Sequence, residues 1–352
     1  MPSSRMKNNR VAGTFLFLGV VAGAGSASAA AETPLKVLQQ WKFDGAGSWD
    51  YLALDSSGQR LFISRSTRVE VVDTHSGKVI GTIADTNGVH GIALAEDQKR
   101  GYTSNGKGNS VTMFDLDTLK TIKEVPVSGQ NPDAILYEPV GKHIFTFNGK
   151  SKNVSVLDAT TLAVVSTFPV PDKPEFAADD GEGQIFVNIE SEPGQIVVID
   201  SRKLAIKATW PLPGCNSPSG IALDKAHHRL FSVCDDKVMA VTDASSGKQI
   251  AKLTVGEGPD AAAYDAKRGL VFASNGEGTL TVIRQESADR YRVVQSVPTK
   301  KGARTMARDP SSGKVYTVSA DLGPAPAPTA EQPHPRPVPI PDTFTVLVIG
   351  AP

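Results

Sequence analysis

An all-β fold is what this sequence predicts, specifically a seven-bladed β-propeller of four-stranded antiparallel blades. Three observations carry that reading: one unit written seven times, strand-like periodicity within each unit, and two chain ends that complete each other. Aligned on their first apolar stretch, the units read DYLALD from Asp50, HGIALA from His90, DAILYE from Asp133, EFAADD from Glu175, SGIALD from Ser219, DAAAYD from Asp260 and RTMARD from Arg304. Successive starts differ by 40, 43, 42, 44, 41 and 44 residues. A propeller blade occupies about 40 to 45 residues.

Within a unit the pieces recur in order. A polar turn such as Asp55-Ser56-Ser57-Gly58 follows the first strand, and a second strand such as Arg60 to Ser64 comes next. The third strand alternates as a half-buried strand should, for example Val69 to Asp73 or Val154 to Asp158. A turn such as Asp73 to Gly77 leads to a fourth strand, Lys78 to Ala84 in the first unit. The seventh unit supplies strands at Arg304, Lys314 to Ser319 and Thr343 to Ile349 and then stops, whereas Leu35 to Phe43 is an orphan strand ahead of the first unit. Pairing Leu35 to Phe43 with Thr343 to Ile349 closes the ring and removes open sheet edges.

Segments such as GYTSN (101 to 105), IFTFN (144 to 148) and VFASN (271 to 275), each followed by a stretch such as KNVSVLDATTLAVVSTFPVPDKP (152 to 174), resemble the YVTN β-propeller repeat. The resemblance spans residues 49 to 350. Units five and seven depart from it, with Val233-Cys234-Asp235 and Val318-Ser319-Ala320 in place of the Thr-Asn ending. It implies an extracytoplasmic seven-bladed propeller and no single activity, since one fold hosts many functions.

The N-terminus carries Arg5, Lys7 and Arg10, then an apolar run from Val11 to Ala22, then small residues to Ala31. These are the three parts of a secretory signal, so residues 1–31 are expected to be removed, leaving 32–352 as a single propeller domain in the periplasm or outside the cell. The run is shorter than the ~20 residues of a membrane span, and no membrane insertion is expected. Removing that segment takes the chain from 37 basic against 37 acidic residues to 34 against 37. A slight acidic excess disfavours a nucleic-acid partner. A monomer is expected.

In a propeller the loops entering the first strand and joining the second to the third share one face, the top, around the central channel. One residue per unit therefore falls at the channel mouth: Asp50, His90, Asp133, Glu175, Ser219, Asp260 and Arg304. Four carboxylates confined together are costly unless a cation, water or protonation offsets them. Asp50, His90, Asp133, Glu175 and Asp260 are accordingly candidate ligands for a divalent cation such as calcium. The plainer reading is that these side chains bond to neighbouring backbone groups. Arg65, Asn105, Asn148, Asn188 and Asn275 sit at the adjoining top-face loops. Asn-Gly at 105, 148 and 275 reads first as a tight-turn signal, since such pairs supply positive φ cheaply.

The two cysteines fall on the same face of unit five, Cys215 in the loop entering the first strand and Cys234 at the end of the adjacent second strand. In an exported chain they are expected to form a disulfide, worth about 3 kcal/mol in the chain-entropy model; a catalytic thiol is the alternative. Between Gly323 and Asp342 proline recurs at eight positions, which predicts an extended arm. It leaves from the top face, where His334 and Arg336 would approach the ring as a lid or docking arm. His227-His228 lies in a turn on the opposite face.

No HExxH, CxxCH or GxSxG occurs, and Gly106-Lys107-Gly108 joins two strands, so it is a turn rather than a phosphate cradle. The leading expectation is thus a binding or interaction propeller whose top face holds a small molecule or a cell-envelope protein. A metal-dependent, lactonase-like hydrolase with its cation at the channel mouth is the alternative. Single-stranded nucleic-acid binding through Arg65, Arg68, Lys107, Lys150 and Lys152 is a third.

Overall fold

Strand-forming runs of Val, Ile, Phe and Thr, cut by Gly, Asp and Asn turns, become seven four-stranded antiparallel sheets in the computed structural model. The structure describes residues 1–3, 33–329 and 337–352, and Pro34–Pro352 forms the propeller. The expected signal segment, apart from residues 1–3, lies outside the described residues, as do His334 and Arg336. Among the described residues the one helical turn is a 3₁₀ turn at Glu96–Gln98.

Blade three shows the plan: Pro132–Glu138 lines the channel, and His143–Asn148, Asn153–Asp158 and Val164–Pro169 follow outward. The second strand of every blade buries an aromatic ring at one register position. Phe62, Tyr102, Phe186, Phe231, Phe272 and Tyr316 face Ala53, Ala93, Ala178, Ala222, Ala263 and Ala307, and in blade three Phe145 faces Leu136. Blades converge toward the axis, so small residues inside and large ones one strand out fill the wedge at close-packed density.

The core is not central. It consists of seven apolar clusters, one between each pair of neighbouring blades, such as Phe62 and Val71 against Ile92 and Phe114 for blades one and two. Each sheet is therefore apolar on both faces, which only a closed ring can cover.

Closure follows the expected route. Lys36–Phe43 pairs antiparallel with Phe344–Gly350 and becomes the outermost strand of blade seven, whose inner strands are Met306–Arg308 and Val315–Ser319. The seam is aromatic: Trp41 lies 5.9 Å from Tyr316, Phe43 6.1 Å from Phe344, and Trp49 5.6 Å from Phe344, between ring centroids. Arg65 differs from its expected loop position. It ends the second strand of blade one, fully buried, with its guanidinium 3.7 Å from the Phe344 ring centroid and 3.4 Å from Glu70.

Phe344→Ala is expected to cost about 3 to 5 kcal/mol, by removing a buried ring that three groups share. Val79→Ser on an exposed outer strand should stay within about 0.5 kcal/mol. Thermal unfolding of the two variants checks the contrast; equal effects would show that the seam does not dominate stability.

Candidate functional site

The strand that lines the channel begins at the mouth, so its first side chains converge there, one from each blade. Hydroxyls of one blade grip the backbone of the next. Ser104 Oγ donates to the Asp133 carbonyl, Ser274 Oγ to the Arg304 carbonyl, and Ser219 Oγ to the Asp260 carbonyl at 3.1 Å. These clamps fix the Cα positions from which the ring side chains project.

Three of the expected residues form a tight cluster. His90 Nδ1 lies 2.5 Å from Asp50 Oδ2 and 3.8 Å from Asp133 Oδ1, and one ligand-type atom from each residue falls within 4.8 Å of the others. Gly106 permits this approach: a Cβ there would sit 2.5 Å from His90 Nε2 and 2.7 Å from Asn131 Oδ1. That close approach is a reason for glycine at 106 which turn chemistry does not contain.

Charges in the mouth are arranged in pairs. Arg304 Nε lies 3.5 Å from Asp260 Oδ2, while Lys173 Nζ contacts Glu175 and lies 2.6 Å from Glu190. Burial, then repulsion from Asp50, raises the Asp133 carboxyl to about 6. Burial, then Asp133, pushes Glu175 well above the usual carboxylate range despite Lys173. Burial opposes the charged form of His90, but the hydrogen bond to Asp50, the two Asp charges and Asn131 outweigh it and raise the imidazole. The carboxyls of Asp133 and Glu175 are thus displaced toward neutrality and the imidazole of His90 toward charge, a set that acid–base chemistry can use.

The donor set of two carboxylates and one imidazole fits a divalent cation. An imidazole suits zinc or another transition metal better than calcium, which takes oxygen ligands.

Of the top-face asparagines, Asn105, Asn148 and Asn275 turn out to be strand ends, and Asn188 lies within the strand Gln184–Glu190. Asn105, Asn148, Asn188 and Asn275 are fully buried. Asn105 Nδ2 donates to Ser110 Oγ (3.1 Å) and Thr112 Oγ1 (2.8 Å), and Asn275 repeats the pattern with Thr279 and Thr281. Asn148 donates to Asn153 and Ser155, whereas Asn188 spans blades, donating to the carbonyls of Ser219 and Gly220. The positive φ of these turns resides instead at Asn109 (47°), Lys152 (51°) and Gly278 (106°). The basic set expected for nucleic acid is depleted in the same way, since Arg65 is buried, Arg68 pairs with Glu70 and Lys152 with Asp172.

Cys215 and Cys234 are joined in a disulfide with Cα atoms 5.3 Å apart, which pins the loop entering blade five. The proline-rich arm is clamped at its base, where Gly323 N donates to the Val338 carbonyl and Ile340 N to that of Asp321. Beside that base, at the seam between blade six and the closing strand, lies a cleft of about 440 Å³ lined by residues including Gln40, Lys42, Lys300 and Asp321. It gathers no comparable acid–base set, so the mouth is the better candidate. Two mouth residues carried no signal in the repeat alignment: Lys173, which precedes the aligned stretch, and Tyr51, which looks like one more apolar strand residue.

A family model described as "Lactonase, 7-bladed beta-propeller" matches residues 41–163, the stretch that holds Asp50, His90 and Asp133. No curated protein matches. Solved structures of similar fold include the hydrazine synthase of Kuenenia stuttgartiensis (TM-score 0.68, 19% identity, 78% of this chain and 93% of that one). They also include U3-55K (TM-score 0.72, 11% identity, 89% and 98%) and the RRP9 WD40 repeats (TM-score 0.73, 11% identity, 91% and 99%). At such identities these structures share the propeller fold and nothing further is carried over. Among the described residues no helix is long and apolar enough to cross a membrane.

A carboxyl raised on folding contributes stability that is complete below its unfolded value and lost as pH rises through its folded value. For Asp133 the window runs from 3.8 to about 6 and amounts to at most about 3 kcal/mol. Asp133→Asn should therefore flatten the fall in stability between pH 4 and pH 7. Denaturant titrations at both pH values check it, and parallel falls in wild type and variant would refute the assignment.

Proposed function

We propose that the channel mouth is a hydrolytic site of lactonase type in an exported protein. The observation that carries this is the Asp50–His90–Asp133 cluster, beside the displaced carboxyl of Glu175 and inside the segment matched by the lactonase family model. Export is supported by the sequence pattern of residues 1–31 and by a disulfide, which persists in oxidising compartments.

In this reading Asp50, His90 and Asp133 hold a divalent cation, which when bound polarises a carbonyl or lowers the pKa of water. Glu175 accepts the proton of the water that adds to the ester carbon. It returns that proton to the ring oxygen as the C–O bond breaks, so one water is consumed and a hydroxy acid leaves. Lys173, bonded to Glu175, steadies its ionised form. The rate should rise with pH through the raised ionisation of Glu175, because the base must be charged to act.

A binding site without turnover is the second reading, favoured by an imidazole whose Nδ1 is already bonded to Asp50. Hydrolysis of glucono-δ-lactone and γ-butyrolactone, followed with Mn²⁺, Zn²⁺ or Ca²⁺ added to metal-free protein, separates the two. Turnover that falls at least about a hundredfold in Glu175→Gln, with the fold retained, supports hydrolysis. No turnover with any of the cations would leave the binding reading.

A further inference from the structure

The packing between blades six and seven opens at its outer corner, beside the closing strand. Alternation along Lys36–Phe43 sends Trp41 and Phe43 into the seam with blade one, so Gln40 and Lys42 point the other way, toward blade six. Their cross-strand partners Leu347 and Thr345 share that face. With Pro298 and Lys300, from the end of the outer strand of blade six, they wall the cleft of about 440 Å³. That volume lies within the range of small-molecule sites, about 300 to 1,000 Å³.

Two of the four charges lining this cleft neutralise each other, since Lys300 Nζ lies 2.9 Å from Asp321 Oδ1. The other two, Lys42 and Asp342, stay open. Lys42 has no ion pair or hydrogen bond among the described residues, and Asp342 has no cationic partner among them. Asp342 Oδ1 accepts the Gly45 N–H at 2.6 Å, which holds the carboxylate in place and leaves Oδ2 to accept from a ligand. The Gln40 amide is likewise without a partner among the described residues. A small anion entering here would gain Lys42 and be opposed by Asp342, and a small cation would meet the reverse. A molecule carrying both charges satisfies both walls, while Val37, Leu347 and Pro298 offer apolar surface to the rest of it.

We propose that this cleft binds a small zwitterion of the amino-acid class with an apolar side chain, its carboxylate on Lys42 and Gln40 and its ammonium on Asp342. The cleft shares no residue with the channel mouth, so this proposal does not rest on the hydrolytic reading.

The test is calorimetric titration of metal-free protein with L-leucine, N-acetyl-L-leucine and L-leucinamide, which share one side chain and carry both charges, the carboxylate alone and the ammonium alone. Working without metal keeps leucine from chelating a cation at the mouth. Leucine should bind at least about tenfold more tightly than either analogue. Lys42→Met and Asp342→Asn should each weaken leucine about tenfold with the thermal midpoint unchanged. Methionine keeps the aliphatic stem, and asparagine keeps both the acceptor for Gly45 and the left-handed backbone at 342, where φ is 61°. Lys36→Met, on the same strand but outside the cleft, should bind leucine as the wild type does. An analogue that binds as tightly as leucine, affinity that neither cleft substitution lowers, or no binding of leucine at millimolar concentration would overturn the proposal. Loss of lactone turnover in a protein that still binds leucine through Lys42 and Asp342 would leave it standing.

Discussion

Ring closure is the constraint on which the rest of this molecule depends. Each blade is apolar on both faces and finds its complement only in its two neighbours, so seven interfaces must form together or an apolar face is left in water. The chain supplies the last blade from both ends. Residues about 300 positions apart, such as Phe43 and Phe344, meet across antiparallel strands, and the loop-closure cost of that pairing grows only logarithmically with separation. The seam between blades seven and one also contains a buried guanidinium, Arg65, held by Glu70 and by the face of Phe344. Removing one partner there would strand a buried charge, which makes the seam intolerant of partial assembly.

Closure also makes the site. Seven strands can point seven polar side chains at one axis only if the ring is complete, and the serine-to-carbonyl clamps between neighbouring blades hold those side chains in register. The cost appears in the displaced ionisations of Asp133 and Glu175, each driven first by burial and then by a neighbouring carboxylate. Folding stability generated between the blades thus maintains a charge arrangement at the axis that is unfavourable by itself.

Much of this architecture is legible in the residues. Repeat spacing and alternation identify the blades, and the incomplete seventh unit together with the orphan strand identifies the closure. Aligning one residue per unit locates the ring whose members Asp50, His90 and Asp133 do come together. Cys215 and Cys234 could be paired because the repeat places the loop entering the first strand of blade five beside the end of its second strand. Other features were hidden for specific reasons. Asn-Gly is a common turn signal, yet Asn105 and Asn275 are used as buried donors to hydroxyls on the next strand, a pairing visible only with strand register. Arg65 reads as a loop cation because sequence does not reveal that Phe344, far along the chain, lies under it. Tyr51 and Phe176 meet through the axis, and no repeat period encodes a contact between blades that are not neighbours.

The chemistry of the mouth turns on whether its central cluster takes a cation, and calorimetric titration of Zn²⁺ and Mn²⁺ into metal-free protein measures that directly. One equivalent should bind to the wild type, with affinity reduced at least about tenfold in Asp50→Asn and in Asp133→Asn while both variants stay folded. Binding that neither substitution weakens, or no binding at all, would contradict a cation site at Asp50, His90 and Asp133.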